Sequence, residues 1–166
     1  MSLTTGVHGK SIGAFPALFR SLPVVPVESL QGLYSGQLTG PLWLRLFSGP
    51  ILGLLGLPRW WGKLVAGPGV GFNLARHGQA IASTVPFTLE RRPSLIDGQL
   101  GVTLVYAEAA RLPLPWLVDE LRPLNENTLL GMSMFARLGL HRLPVPFLLH
   151  RLGPATMLSA PAGSPR

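Results

Sequence analysis

The sequence contains no cysteine, little lysine and few charged residues of either sign. Of its 166 residues, 14 are basic and 7 acidic, so 13% are charged, against about 25% in an ordinary globular domain. The absence of cysteine excludes disulfide bonds and thiolate metal sites. Lysine occurs only at Lys10 and Lys63. Because 47% of the residues are apolar, the composition also argues against a disordered chain.

Long apolar runs are missing as well. The best candidate for a membrane span, Leu46–Pro58, contains three glycines and two prolines and is shorter than the roughly 20 residues that a spanning helix needs. Lys10 precedes a short apolar segment, but no clean cleavage site of a signal peptide follows it. We therefore expect a cytoplasmic protein.

The basic residues are scattered rather than clustered. The formal net charge is +7, yet the only close groupings are Arg91–Arg92 and the set Arg137, His141 and Arg142. Nucleic-acid-binding domains concentrate basic residues in one stripe, so no nucleic-acid partner is predicted. An anionic membrane surface or an anionic amphiphile remains a candidate partner.

Glycine and proline, with 20 and 17 residues, divide the apolar residues into short segments. Alternation and turn residues predict eight strands, over residues 33–38, 60–65, 70–74, 80–89, 100–106, 116–121, 128–135 and 147–152. Residues 41–57 show helical spacing and predict two short helices separated at Gly49–Pro50. This pattern predicts an antiparallel barrel or sandwich in a single domain over residues 12–158. Residues 1–11 are expected to be frayed or disordered, and residues 159–166 to form a disordered tail.

Four short motifs occur in an order that is known from one family. Gly32–Gly36 resembles a G-x-W-x-G element with Tyr34 in the tryptophan position, and Trp60–Lys63 resembles W-x-G-K. Leu104–Tyr106 and the segment 118–131 resemble the apolar-Tyr strand and the D-x-x-R ending. The chain thus resembles the GXWXG domain family from about residue 30 to 151. This resemblance implies a mostly β, antiparallel, calycin-like barrel with one or two short helices near residues 41–58, and it implies a fold more than a function.

Lys63 and its neighbours are the first candidates for a ligand site. Alternation along a strand places Trp61 and Lys63 on the same face, where Lys63 could hold a ligand carboxylate or make a cation–π contact. The structural alternative is that tryptophan plugs the barrel and Lys63 pairs with a core carboxylate such as Asp119.

Asp119 and Arg122 lie within or beside an apolar run, where an unpaired carboxylate would be costly to bury. We expect Asp119 to pair with Arg122 or Lys63. The functional alternative makes Arg122 an anion-binding group that Asp119 orients. Together with Tyr34 and Tyr106, these residues complete the predicted ligand site: Tyr34, Trp61, Lys63, Tyr106, Asp119 and Arg122.

Residues with catalytic potential are few. Asp119, Tyr106 and Glu108 are weak acid–base candidates, with Tyr106 and Glu108 expected on one strand face. No zinc-ligand spacing or nucleophile motif is present, so neither a metal nor a cofactor is predicted. His150 alternates with Leu148 and, if it faced the interior, could be the axial ligand of a haem, since the G-x-W element also resembles haem-binding barrels.

Three functions follow from this sequence. The first is a binding protein that holds a hydrophobic or amphipathic small molecule in a barrel. The second is an isomerase, cyclase or hydrolase that acts on a hydrophobic substrate in the same cavity. The third is a protein that contacts a membrane or a partner through residues 41–58. The structural alternative is that these residues only form a helical cap on the barrel.

Overall fold

Eight antiparallel strands close into a barrel in the computed structural model, which describes residues 6–136 and 144–158. Each strand pairs with the next along the chain, and the last pairs with the first. The strands are β1 (Gly32–Leu38), β2 (Trp60–Gly67), β3 (Val70–His77), β4 (Ala80–Pro93), β5 (Leu100–Val105), β6 (Leu117–Asn125), β7 (Thr128–Phe135) and β8 (Val145–Gly153). The prediction of a mostly β, calycin-like barrel is confirmed, and the eight predicted strands correspond to these eight. β4 extends four residues beyond its predicted end.

Glycine turns join neighbouring strands where the sequence predicts them. Gly69 and Gly78 have φ values of +76° and +63°, which glycine adopts without a steric penalty. They turn the chain between β2 and β3 and between β3 and β4. Because connections alternate between the two ends of a meander, the barrel has two different ends. The upper end carries the connections 39–59 and 106–116, and the lower end carries 94–99, 126–127 and the approach to β1.

In the part of the chain that the structure describes, three short α-helices accompany the barrel: α1 (Phe15–Ser21), α2 (Leu42–Leu46) and α3 (Ser48–Leu54). The two helices predicted near residues 41–58 are α2 and α3, but their boundary lies at Phe47 rather than at Gly49–Pro50. Pro50 is tolerated because it occupies the first turn of α3, where a backbone N–H has no helical partner. Within the described ranges, no helix has the length and apolar character that crossing a membrane requires.

The interior of the barrel is packed with aromatic and aliphatic side chains. Trp60 and Phe147 meet edge to face, with ring centroids 5.8 Å apart. Two glycines make room for these rings: a Cβ on Gly36 would lie 2.2 Å from the Trp60 ring, and one on Gly131 would lie 2.1 Å from the Phe147 ring. The glycines in the predicted strands therefore serve side-chain packing as well as turns.

A second cluster lies outside the barrel, where α1 covers β6, β7 and β8. Phe15 and Phe19 of α1 are buried against outward-facing side chains of these strands, including Met132 and Leu148. Val7 belongs to the same cluster and is 2% exposed. Residues 7–9 are therefore held against the barrel, although the sequence predicts a frayed start. The predicted tail 159–166 and the basic grouping at 137–142 lie outside the described residues.

Candidate functional site

A hydrogen-bonded group of polar side chains lies within the apolar interior of the barrel. The inner polar cluster comprises Trp60, Lys63, Asn73, Tyr106, Asp119 and Ser133. The Lys63 Nζ donates to Asp119 Oδ2 at 2.8 Å, to Asn73 Oδ1 at 2.8 Å and to the Tyr106 hydroxyl at 3.0 Å. All three ammonium hydrogens thus have an acceptor, which a buried lysine requires.

The carboxylate of Asp119 also has hydrogen-bond donors for both of its oxygens. Its Oδ2 accepts from the Tyr106 hydroxyl at 2.9 Å as well as from Lys63, and its Oδ1 accepts from Ser133 Oγ. The side chains of Lys63 and Asp119 are only 2% and 4% exposed. The structural alternative of the sequence analysis, a buried Lys63–Asp119 pair, is therefore what the structure contains.

Burial changes the acidity of two members of this cluster. Desolvation lowers the pKa of Lys63, and the carboxylate of Asp119 opposes that shift. Desolvation together with the negative charge of Asp119 raises the pKa of Tyr106 well above its ordinary value. Tyr106 therefore stays protonated and acts as a hydrogen-bond donor. Aromatic rings surround the ammonium, with the centroid of Phe87 4.9 Å from Nζ, so cation–π attraction also offsets the cost of burial.

A β-bulge in β2 decides which tryptophan joins the cluster. The register between β2 and β3 shifts between Trp60 and Gly62, and the extra residue in a bulge changes the face of the side chains before it. Trp60 consequently points inward, and its Nε1 donates to Asn73 Oδ1 at 3.1 Å. Trp61 packs outside the barrel near Leu64 and Leu74. The prediction that Trp61 shares a face with Lys63 is wrong, because simple alternation ignores the bulge.

Arg122 lies on the opposite face of β6 from Asp119. It is 1% exposed, pairs with Asp97 at 2.8 Å and donates from Nη1 to the Phe19 carbonyl at 2.8 Å. Its guanidinium also lies 4.5 Å from the centroid of the Phe19 ring. The predicted anion site of Arg122 oriented by Asp119 is therefore wrong, since residues three apart on a strand face opposite sides. Arg122 joins α1 and the 94–99 connection to the barrel wall.

Glu120 is a buried carboxylate on this outer face that the sequence analysis missed. It is 2% exposed, and it accepts hydrogen bonds from Ser94 Oγ and from the Leu95 amide. Burial raises the pKa of Glu120, while these hydrogen bonds oppose the shift. Its partners anchor the 94–99 connection, so its position indicates a structural role. Alternation from Asp119 could have signalled it.

Two further candidates do not reach the interior. Tyr106 is buried, but Glu108 is exposed in the turn after the end of β5, so the predicted acid–base pair on one strand face is wrong. His150 shares the outer face with Leu148 and contacts Gln37 and Thr128, at 3.1 and 3.3 Å. Desolvation lowers the pKa of His150, and nearby His8 adds to this effect. The predicted alternation is right but the face is the outer one, so His150 cannot ligate a haem inside the barrel.

The space beside the inner polar cluster is very small. A void of about 20 Å³ lies among Lys63, Tyr106, Asp119 and Phe147, which is enough for about one water molecule. Leu52 and Leu55 of the α3 region and the adjacent Leu57 also line this void. The helical connection thus caps the upper end of the barrel, and the interior below it is filled.

A much larger cavity, of about 430 Å³, opens at the lower end of the barrel. This basal cavity lies between residues 22–30 and the β6–β7 hairpin, and most of its wall is apolar. The apolar wall residues include Leu22, Pro23, Val25, Leu30, Leu124 and Leu129. Of the predicted ligand residues, only Tyr34 lines this cavity, and its hydroxyl donates to the Leu30 carbonyl at 2.8 Å.

Arg151 is the cation of the basal cavity, and sequence reasoning missed it. Its Nη2 donates to the carbonyls of Ser29 and Gln31, and its guanidinium lies 5.6 Å from the Tyr34 ring centroid. Within residues 6–136 and 144–158, Arg151 makes no ion pair with a carboxylate. The pairing of Tyr34 with Arg151 between β1 and β8 depends on barrel closure, which joins the first strand to the last, so local sequence patterns could not have predicted it.

Comparison with known proteins supports the fold but assigns no activity. No family model matches the chain, and the search of curated proteins also gave no match. The resemblance to the GXWXG domain family therefore stays a prediction. A crystal structure of a protein from Thermomonospora curvata is similar to this chain, with a TM-score of 0.67 and 18% sequence identity over 90% of this chain and 93% of the other. The chain therefore belongs to the class of closed eight-stranded antiparallel barrels, and the shared property is the fold.

Proposed function

We propose that this protein binds a small amphipathic molecule in the basal cavity. The observation that carries the proposal is the cavity itself, because about 430 Å³ falls within the range of about 300–1,000 Å³ typical of ligand pockets. Its wall is mostly apolar, and it lies at the mouth of a barrel, where such pockets are common. The apolar part of the ligand packs against Val25, Leu30 and Leu129. We also propose that the protein is cytoplasmic.

The charge at the cavity favours an acidic head group on the ligand. Arg151 presents an exposed guanidinium whose Nη2 is fixed by two backbone carbonyls, and guanidinium groups bind carboxylates and phosphates in a fork geometry. Glu126, on the β6–β7 hairpin, also lines the cavity. Its charge opposes an anionic ligand, so Glu126 limits the affinity that Arg151 provides.

The geometry gives less support to a ligand at Lys63, Tyr106 and Asp119. The void there holds about one water molecule, so a ligand would have to displace the side chains of Leu52, Leu55 and Leu57. It would also have to compete with hydrogen bonds that already satisfy the ammonium of Lys63. These residues therefore support the barrel that positions the basal cavity.

Acid–base catalysis, the second function considered, has weaker support in the geometry. Both oxygens of Asp119 accept hydrogen bonds, and Tyr106 is buried with a raised pKa. A general base must come within hydrogen-bonding distance of its substrate, and about 20 Å³ leaves no room for one. Binding without turnover is the function that we propose.

The proposal is tested by titrating the fluorescent amphipathic anion 8-anilinonaphthalene-1-sulfonate. Val25→Trp fills the basal cavity, because Val25 lines it and is half-buried. Val70→Trp is the matched control at a half-exposed position outside the cavity. We expect the dissociation constant to rise at least tenfold in Val25→Trp, which corresponds to about 1.4 kcal/mol, and to stay unchanged in Val70→Trp.

Two charge variants test the orientation of the ligand. Arg151→Gln should weaken binding and Arg151→Lys should restore part of it, whereas Glu126→Gln should strengthen it. Near-ultraviolet circular dichroism on every variant checks that the fold is retained, since the probe also binds loosely packed states. Equal affinity of wild type, Val25→Trp and Arg151→Gln for the probe would rule out the basal cavity as its site.

A further inference from the structure

The upper end of the barrel exposes an unusual amount of apolar surface on α2 and α3. Five large apolar side chains of these helices and their junction are more than half exposed, and a sixth lies in the adjacent 106–116 connection. They are Leu42, Trp43, Leu46, Phe47, Leu54 and Leu112, with exposed fractions from 52% to 79%. Among the described residues, the four other large apolar side chains that are exposed lie at or near the lower end, each on a different element or connection, and reach 54% at most.

The same two helices bury few of their own residues. Leu44 is the only buried residue of α2, and α3 has none. The exposed leucines are on average more accessible than the tryptophan between them, and α2 carries a cation at Arg45 in its last turn. Leucine, tryptophan and arginine together are typical of segments that lie in the interface of a membrane.

The charge around these helices is almost entirely positive. No acidic residue occurs between Glu28 and Glu90, so Arg45, Arg59 and Arg76 have no acidic neighbour in that stretch. Arg59 and Arg76 are held side by side by a backbone hydrogen bond of 2.9 Å. In the part of the upper end that the structure describes, Glu108 is the one exposed acidic residue.

A recess beside the helices carries two more basic side chains. This cavity of about 240 Å³ lies between residues 56–58 and the β3–β4 hairpin and is lined by Trp60, His77 and Arg111. Arg111 is exposed and, among the described residues, forms no ion pair. The recess therefore joins an apolar surface to a site with the charge to receive a phosphate group.

We propose that the upper end of the barrel docks on an anionic phospholipid surface. The exposed side chains of α2 and α3 insert among the lipid chains, and Arg45, Arg59 and Arg111 contact phosphate groups. Charge complementarity selects this partner, because a neutral apolar partner would not require a surface on which basic residues outnumber the single exposed acidic residue, Glu108. The proposal does not depend on the basal cavity, which lies at the other end of the barrel.

The test is cosedimentation of the full chain with vesicles of phosphatidylglycerol and phosphatidylcholine, or of phosphatidylcholine alone. We expect binding to the anionic vesicles, weak binding to the neutral ones, and weaker binding at high salt, since salt screens exposed charges. Leu46→Glu and Phe47→Glu should reduce partitioning at least tenfold. Leu100→Glu, at a comparably exposed leucine of the lower end, should not reduce it to that extent.

Arg45→Gln and Arg111→Gln test the charge contribution separately. Each should lower partitioning about fivefold, because a basic residue near an anionic bilayer contributes about 1 kcal/mol. Equal loss in Leu46→Glu and Leu100→Glu would overturn the proposal, as would the absence of binding to anionic vesicles. Sedimentation velocity without lipid tests whether the surface binds a second copy of the chain instead. A concentration-dependent dimer that Leu46→Glu abolishes would show this and would overturn the proposal.

Discussion

Replacing Asp119 with asparagine removes the one carboxylate that contacts Lys63 among the residues that the structure describes. The lysine keeps Asn73 and Tyr106 as hydrogen-bond acceptors, at 2.8 and 3.0 Å, but its charge is no longer neutralised. Breaking one partner of a buried pair typically costs about 3–5 kcal/mol. Because a domain of this size is stable by roughly 5–15 kcal/mol, Asp119→Asn should lower the free energy of unfolding substantially while the chain still folds.

The loss of unfolding free energy that Asp119→Asn causes should depend on pH in a defined direction. Burial already lowers the pKa of Lys63 from 10.5, and Asp119 is the group that opposes the shift, so the variant should lower it further. The folded variant then binds fewer protons than the unfolded chain in the window between its lowered pKa and 10.5. Stability therefore rises with pH through that window and is lost as the pH falls through the pKa of the folded state.

Urea unfolding between pH 6 and pH 10 measures both effects. The control is Glu90→Gln, which breaks the Arg92–Glu90 pair at 2.7 Å, whose side chains are 47% and 41% exposed. Such exposed pairs contribute at most about 1 kcal/mol. The double variant Lys63→Met with Asp119→Leu should be more stable than Asp119→Asn, since it leaves no unpaired charge. The reasoning is refuted if Asp119→Asn costs no more than Glu90→Gln, or if the difference in stability from wild type does not shrink as the pH rises.

Two further predictions concern packing and the outer face. Gly131→Ala and Gly36→Ala should each lower the free energy of unfolding by about 1–3 kcal/mol or more, because the added Cβ would lie within 2.2 Å of an aromatic ring. The control is Gly53→Ala in α3, where a Cβ would meet nothing within 4 Å and should not destabilise the protein. Thermal unfolding measures both, and an equal loss in Gly53→Ala and Gly131→Ala would contradict the packing argument. Arg122→Met should cost about 3 kcal/mol by leaving Asp97 and the Phe19 carbonyl without their partner, and amide exchange should increase first in α1; uniform exchange across the barrel would argue against that role.

Local patterns were sufficient to predict the strands and hairpins but left both a barrel and a sandwich open, and the prediction of a barrel came from the resemblance to the GXWXG domain family. Period-two alternation and turn residues such as Gly69 and Gly78 are properties of neighbouring residues, and they define strands and hairpins directly. The division of residues 41–58 into two helices followed from the same kind of signal. The exact boundary at Phe47 did not, because proline in the first turn of a helix costs little.

The candidate site was only partly predictable, because it depends on contacts across the barrel. The cost of burying a charge narrowed the partner of Asp119 to Arg122 or Lys63, and the structure shows that the partner is Lys63. Asn73 and Ser133 were not predicted, because an uncharged polar side chain costs less to bury than a charged one and therefore gives a weaker signal. Trp61 was assigned to the wrong face because one bulged residue reverses alternation.

The basal cavity could not be predicted from the sequence at all. Its cation, Arg151, comes from β8, whereas Tyr34 comes from β1 and Val25 from the segment before it. The closure of the barrel brings the first and last strands together, and a sequence gives no local signal for the empty space that results. The residues with the most conspicuous chemistry, Lys63 and Asp119, instead fill the interior.

The most direct test of the proposed function is a nuclear magnetic resonance titration of the ¹⁵N-labelled protein with decanoate, a small amphipathic carboxylate. The account predicts saturable shifts of amide signals around the basal cavity, at Leu30, Asn127 and Leu129, with the indole N–H signal of Trp60 unchanged. Shifts centred on Trp60 and Phe147 would place the ligand in the interior instead. Either that result or the absence of saturable shifts would contradict a ligand site at the lower end of the barrel.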